Sequence, residues 1–371
     1  MKKVMICFGT RPEAIKMCPL VKALARRPEA FETVVCVTGQ HREMLRQVLD
    51  VFGVEPKYDL AVMEPRQTLF TITEKILASI EPVLDREKPD LVLVHGDTTT
   101  SFACALAAFY RQIPVGHVEA GLRTHDIHSP YPEEFNRQAV GLVAKYHFAP
   151  TETARDNLLR EGKDPAHICV TGNTGIDALK TTVRGDYESE LLDWAAGSRL
   201  VLLTAHRREN LDGGMRRVFR AIARVAGERP DVKLVFPVHP NPQVQALADE
   251  YLRHERIRLT PPLDVLDFHN LMARAYLVLT DSGGIQEEAS ALGKPVLVLR
   301  DTTERPEGVA AGTLRLAGTG ERELYGAFIR LLDDRAAYER MSGAPNPYGD
   351  GTASEKIAAY LSTADLKSAE E

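Results

Sequence analysis

The sequence predicts an α/β protein made of two doubly wound parallel sheets, each with helices on both faces. Short Val/Ile/Leu-rich runs alternate with longer amphipathic segments through the first half of the chain, as expected of strands buried on both faces by helices. The same alternation restarts near Ser198. Most of the apolar runs end in a polar or glycine-bearing turn, including GTRP, GQH, GDT, HRREN, HPNP and DSGG. The carboxyl ends of strands are where open α/β sheets bind ligands. Two such sheets facing each other would line a cleft from both sides.

Composition bounds the rest. A chain of 371 residues suggests about two domains, and 44% hydrophobic with 26% charged residues is the balance of a soluble globular protein. A net charge of −6 argues against a general nucleic-acid binder. An acidic chain that takes an anionic ligand has to gather its cations locally. The five cysteines show no C-x-x-C spacing, so we expect core thiols in a reducing cytoplasm and no metal site. No apolar run approaches membrane-spanning length. The basic start and short apolar run of MKKVMICFGT read as a first strand rather than a signal peptide.

In chain order, Val4–Phe8 is the first strand, followed by a helix from about Glu13 to Ala25. Thr33–Thr38 is the next strand, with a helix to about Val51 and a long helix from Gln67 to Glu87. Leu91–His95 leads through Gly96-Asp97-Thr98 into a helix ending at Tyr110, and Pro114–Val118 opens a long loop, Glu119 to Pro132. A helix over 133–144 and a strand over 146–149 follow. The polar segment from Thr181 to Gly197 marks the boundary between a first domain, 1–180, and a second, 181–352. The second opens with a strand at Leu200–Thr204, a helix through about Ala226 and a strand at Lys233–Pro237. The stretch Leu277–Pro306 is expected to close its sheet: strand, DSGG turn, helix from Ile285 to Leu292, and strand Pro295–Leu299. The last helix covers Ser354–Leu361.

That stretch carries the clearest chemistry. A helix starting after DSGG points unpaired N–H groups and a positive dipole end at the turn, where an anion can sit. Gly283 and Gly284 have no Cβ, so a phosphate can approach the backbone. Glu287 and Glu288 suit sugar hydroxyls, and Arg300 and Arg305 return positive charge. His206, Arg207 and His239, at two further strand ends, suit a diphosphate. In the first half, Arg11 and Lys16 flank the first turn, and Asp97, Glu119 and Glu133 bring carboxylates to one sheet edge. Acids there suit proton transfer or stabilisation of positive charge developing on a sugar ring. Simpler roles remain open: Asp97 as a helix N-cap, and Glu133 with Glu134 as dipole partners.

Taken in order, GTRPEAIK, HGDTTT, HVEAGLRT, PEEFNR, TAHRREN, PVHPNP, TDSGGIQEE, LGKPVLVLRDTTERPE and NPYGDG closely resemble the non-hydrolysing UDP-N-acetylglucosamine 2-epimerases of bacteria. The resemblance runs from residue 3 to about residue 362. It implies the glycosyltransferase B type of fold, with the C-terminal helix, 353–371, packing back on the first domain. It also implies a homodimer without metal or nicotinamide cofactor. The implied reaction interconverts UDP-GlcNAc and UDP-ManNAc by loss of UDP to a 2-acetamidoglucal and its re-addition, and it supplies ManNAc units for cell-surface polysaccharide.

Matched onto this chain, the family's catalytic positions fall on Asp97, Glu119, Glu133 and His206. Its substrate and UDP contacts fall on Arg11, Lys16, Arg137, Arg207, His239, Ser282, Gly283, Gly284, Glu288 and Arg305. Some bacterial members take a second UDP-GlcNAc as activator. Its contacts correspond to Gln40, Glu43, Arg66, Glu133, Arg207 and His239, with Glu43 standing where those members can carry Gln. A hydrolysing epimerase releasing free ManNAc and UDP, and a glycosyltransferase of the same fold, are the alternatives.

Overall fold

A computed structural model describes residues 1–39, 42–64, 67–207, 211 and 213–366, without the side chains of Arg42 and Glu43. The strands are β1 (Lys2–Phe8), β2 (Phe31–Val37), β3 (Tyr58–Asp59), β4 (Leu91–His95), β5 (Val115–Val118), β6 (Tyr146–Ala149) and β7 (Ile168–Val170), then β8 (Arg199–Thr204), β9 (Val232–Pro237), β10 (Ile257–Thr260), β11 (Leu277–Thr280), β12 (Val296–Val298) and β13 (Leu314–Leu316). Between them run α1 (Arg11–Ala25), α2 (Arg42–Phe52), α3 (Leu69–Glu87), α4 (Thr99–Tyr110), α5 (Glu133–Val143), α6 (Glu152–Arg160), α7 (Thr174–Thr182) and α8 (Glu190–Ala195). The later helices are α9 (Gly214–Glu228), α10 (Pro242–Tyr251), α11 (Val265–Arg274), α12 (Gly283–Ala291), α13 (Pro306–Ala311), α14 (Glu321–Asp333), α15 (Arg335–Ser342) and α16 (Ala353–Thr363).

The chain forms two compact units, Met1–Thr181 with Gly349–Glu371, and Thr182–Tyr348. The first holds a seven-stranded sheet, β3-β2-β1-β4-β5-β6-β7, and the second a six-stranded sheet, β10-β9-β8-β11-β12-β13. Every strand pair is parallel, as the buried Val/Ile/Leu runs predict. Both sheets reverse direction of build at their first strand, β1 and β8, which puts a topological switch point beside each. The central strands are fully buried, with Val4, Ile6, Leu93, Val201 and Leu279 all at 0% exposure. Helices α3 and α4 supply much of one covering layer of the first sheet through Ile76, Ile80, Ala103 and Ala107.

Local chemistry sets the helix starts that matter most. Thr10 caps α1 in a capping box with Glu13, and Pro12 sits in its first turn, where its missing N–H costs nothing. Arg11 is therefore the first helical residue rather than part of the turn. Thr98 caps α4 through the N–H of Ser101. The helix after β11 begins at Gly283 rather than Ile285, so both glycines belong to its first turn. The same stretch does not close its sheet, because β13 pairs outside β12.

The last helix returns to the first unit and is fixed at both ends. The buried carboxylate of Asp177 accepts the N–H groups of Ala353 (3.1 Å) and Ser354 (2.6 Å) at the start of α16. At its end, Lys2 Nζ donates to the carbonyls of Leu361, Ser362 and Ala364 at 2.7–2.8 Å. Among the described residues no helix is long and apolar enough to cross a membrane.

Candidate functional site

In the first unit, the ends of β1, β4 and β5 form one edge. Glu119 follows β5 directly and has φ of 62°, a conformation that costs a non-glycine residue about 1 kcal/mol or more and is held only by its surroundings. Those surroundings are specific. Lys16 Nζ pairs with Glu119 Oε2, and Asn173 Nδ2 donates to the same oxygen at 2.8 Å. Asn173 has its own Oδ1 engaged by the N–H of Gly175 at 2.7 Å, so its amide has to present NH2 to Glu119. His95 Nε2 lies 3.7 Å from Glu119 Oε2. Burial takes the His95 imidazole down to about 4 despite the neighbouring carboxylate.

Asp97 sits one turn away and is not the cap of α4, a role that Thr98 fills. Its carboxylate pairs with Arg137 Nη2, and Asn136 Nδ2 donates to its carbonyl at 2.9 Å. The two acids at the start of α5 divide. Glu134 is fully buried and accepts from the N–H groups of Thr124 and His125 at 3.1 and 3.2 Å, from Gln138 at 2.8 Å and from Arg137 at 3.2 Å. It is a structural clamp on the loop after β5. Glu133 is half-buried, and no hydrogen bond or ion pair is found for it among the described residues, which leaves its carboxylate available.

A buried acid that the sequence reading passed over joins these turns. Glu13 Oε2 accepts the N–H groups of Gly9 (3.1 Å) and Thr10 (2.7 Å). Its Oε1 accepts the hydroxyls of Thr98 (2.7 Å) and Ser101 (3.1 Å). One carboxylate thus ties the turn before Arg11 to the turn after Asp97. Burial pushes its carboxyl up, against those bonds. Gly9 is required for the close approach here, since a Cβ would fall 1.9 Å from Thr38 Oγ1.

In the second unit, the ends of β8, β9, β11 and β12 form the other edge. Asp281 closes β11, is fully buried, and accepts the N–H groups of His206 (2.8 Å) and Arg207 (2.9 Å) on Oδ2. Burial works against its charge, but His206 and these N–H groups hold its carboxyl below the ordinary value. The rings of His206 and His239 stack with centroids 5.7 Å apart. Burial lowers His239, and His206 beside it lowers it further.

Around the first turn of α12, Arg305 pairs with buried Glu287. Its guanidinium would lie 3.3 Å from a Cβ at Gly283, whereas a Cβ at Gly284 would meet nothing within 4 Å. Glu287 is thus a partner for Arg305. Glu288 Oε2 lies 3.4 Å from His269 Nε2, whose Nδ1 is 2.7 Å from Thr182 Oγ1. Ser282 caps α12 without a side-chain bond of its own. Arg300 and Arg207 both reach Glu304, at 2.6 and 3.4 Å. Burial would raise that carboxyl, but Arg300 and Arg305 outweigh it and bring it to about 2.

The structure therefore gathers Arg11, Lys16, Asp97, Glu119, Glu133 and Arg137 in one unit, and His206, Arg207, His239, Ser282, Gly283, Gly284, Glu288 and Arg305 in the other. Of the expected activator contacts, Gln40, Arg66 and the Glu43 side chain lie outside the described residues. Sequence reasoning missed Glu13, Asn173, Asp281 and His269. A buried polar residue beside a strand-end turn was the available signal for the first three.

Comparison with known proteins identifies the chain. The sequence profile of the UDP-N-acetylglucosamine 2-epimerases matches residues 22–362. The UDP-N-acetylglucosamine 2-epimerase of Bacillus subtilis (strain 168) is 57% identical over 360 residues, covering 97% of this chain and 94% of that protein. Among solved structures, the S. aureus MnaA–UDP co-structure is 56% identical with a TM-score of 0.91, covering 96% of this chain and 95% of the other. The Neisseria meningitidis UDP-GlcNAc 2-epimerase bound to UDP-GlcNAc is 46% identical with a TM-score of 0.91, covering 97% and 99%. The chain belongs to the UDP-N-acetylglucosamine 2-epimerase family.

Proposed function

We propose that this protein interconverts UDP-GlcNAc and UDP-ManNAc without net hydrolysis. The observation that carries the reading is the pair of cation-held carboxylates on one sheet edge: Glu119 on Lys16, and Asp97 on Arg137. The bound ligands of the S. aureus and N. meningitidis relatives support UDP and UDP-GlcNAc as ligands here.

The chemistry requires such an edge. The proton on carbon 2 of the sugar has no carbonyl beside it and is not acidic in the ground state. Cleavage of the bond from carbon 1 to the diphosphate oxygen releases UDP and makes carbon 1 oxocarbenium-like. Carbon 2 then gives its proton to a carboxylate, leaving a 2-acetamidoglucal. In the return step UDP re-forms its bond to carbon 1, and a proton is delivered to the other face of carbon 2. Two faces need two proton-handling groups, which accounts for more than one acid among Asp97, Glu119 and Glu133. Arg11 and Lys16 contribute positive charge at that edge. The α12 N-terminus at Ser282, Gly283 and Gly284 holds the leaving diphosphate, with Arg207, His206, His239 and Arg305, while Glu288 takes the ribose.

A homodimer belongs to the same reading. Helices α3, α4 and α5, which pack side by side, each expose a large apolar side chain, Phe70 (87%), Tyr110 (68%) and Leu142 (77%), that a second copy would cover. Light scattering at about twice the mass of one chain supports this, and a monomer contradicts it.

Product analysis tests the main proposal. Incubation with UDP-GlcNAc should yield UDP-ManNAc, followed by proton NMR at the anomeric and carbon-2 signals. Free ManNAc with UDP would show the hydrolysing reaction instead.

A further inference from the structure

Asp281 has two oxygens with different tasks. Oδ2 accepts two backbone N–H groups, from His206 at 2.8 Å and Arg207 at 2.9 Å. Oδ1 is buried and has no aligned hydrogen bond among the described residues, yet His206 Nδ1 stands 2.9 Å away. That ring nitrogen is the donor within reach of a buried anionic oxygen, and a small rotation of the ring aligns it. The His206 side chain is 39% exposed, and among the described residues its Nε2 makes no hydrogen bond.

We propose that Asp281 is a positioning residue that holds His206 in its Nδ1–H tautomer, so that Nε2 is the atom that takes or gives the proton during departure and return of the diphosphate. A carboxylate accepts and never donates when ionised, so the nitrogen facing it has to carry the hydrogen. The neutral ring then presents a lone pair at Nε2, and the protonated ring presents an N–H there. The same carboxylate fixes the 206–207 backbone, so ring orientation and loop position are set together. The inference rests on the reading above that His206 takes part in the reaction.

The geometry also dictates what amide substitution does. In Asp281→Asn, the two N–H groups of residues 206 and 207 require an acceptor, so the amide oxygen has to occupy the place of Oδ2. The amide nitrogen then lands opposite Nδ1 and donates to it, which forces the Nε2–H tautomer. An inverted tautomer of this kind leaves the site assembled with the wrong atom protonated.

Long-range proton–nitrogen NMR of the 15N-histidine-labelled protein reads the tautomer directly. The wild-type protein should show the neutral His206 ring with hydrogen on Nδ1, a result that needs no variant. Asp281→Asn should show it on Nε2, with UDP binding retained and kcat lowered about a thousandfold, while KM changes little. A wild-type ring with hydrogen on Nε2, or an unchanged tautomer in the variant, would overturn the positioning role whatever the rate. A switched tautomer with undiminished kcat would instead remove His206 from the reaction, and with it the functional half of the proposal.

Discussion

Acidification should unfold the first unit through three histidines on adjacent strands. His95 on β4, His117 on β5 and His147 on β6 are all at most 4% exposed. Burial takes them from 6.5 to about 4, about 3 and about 4. Burial keeps His117 neutral against the Gly96 carbonyl 2.8 Å from its Nε2, which favours charge, and Lys163 and Arg123 oppose charge on His147. Because folding lowers these values, the unfolded chain binds protons that the folded one refuses. Stability is therefore full above about pH 6.5 and is lost as pH falls toward about pH 4. Three such protons give a limiting slope of about 4 kcal/mol per pH unit, or about 6–7 kcal/mol between pH 6.5 and 4.5, comparable with the whole stability of a domain. Urea titrations at steps from about pH 7 to about pH 4.5, followed by circular dichroism, measure that slope. His147→Gln should reduce it by about a third. Carboxylates such as Glu87, held near 2 by Lys57 and Tyr58, begin to add to the slope only below about pH 5.5, where the unfolded chain's carboxylates take up protons, so the span from about pH 6.5 to 5.5 reads the histidines most cleanly. A flat stability between pH 6.5 and 5, or a slope indifferent to His147→Gln, would refute the reasoning.

Other expectations concern the reaction and its scaffold. Asp97→Asn and Glu119→Gln should each lower turnover by about a hundredfold or more while UDP binding is largely kept; near-normal turnover in steady-state assays would remove that carboxylate from the mechanism. Asp177→Ala should release the start of α16 at a cost of about 1–3 kcal/mol, visible as a lower melting temperature and faster hydrogen exchange over 353–358. If a second UDP-GlcNAc activates the protein, UDP-ManNAc alone should turn over slowly until UDP-GlcNAc is added; full-rate, non-sigmoidal kinetics without it would exclude activation.

Much of the site was legible because strand-end turns carry their chemistry in short, ordered blocks. HGDTTT and HVEAGLRT led directly to Asp97 and Glu119, and the parallel order of the strands put both on one edge. What stayed hidden was set by partners distant in sequence. Asp281 looked like a turn residue until β8 brought the His206 and Arg207 N–H groups against it. Asn173 lies 54 residues from Glu119, after the short strand β7, whose apolar run is only three residues, Ile168–Val170. The split between Glu133 and Glu134 was likewise invisible, since only the folded 124–125 loop supplies the N–H groups that occupy Glu134. At α12 the glycines read as a turn because they disfavour helices, but a helix N-terminus built to admit an anion puts them in its first turn.

The most direct test is the reaction run in heavy water and followed by proton NMR. Epimerisation by elimination predicts UDP-ManNAc that carries deuterium at carbon 2, with deuterium also entering the recovered UDP-GlcNAc as equilibrium is approached. UDP-ManNAc formed with its original carbon-2 proton retained would contradict proton transfer by the carboxylates of the first unit and the account built on them.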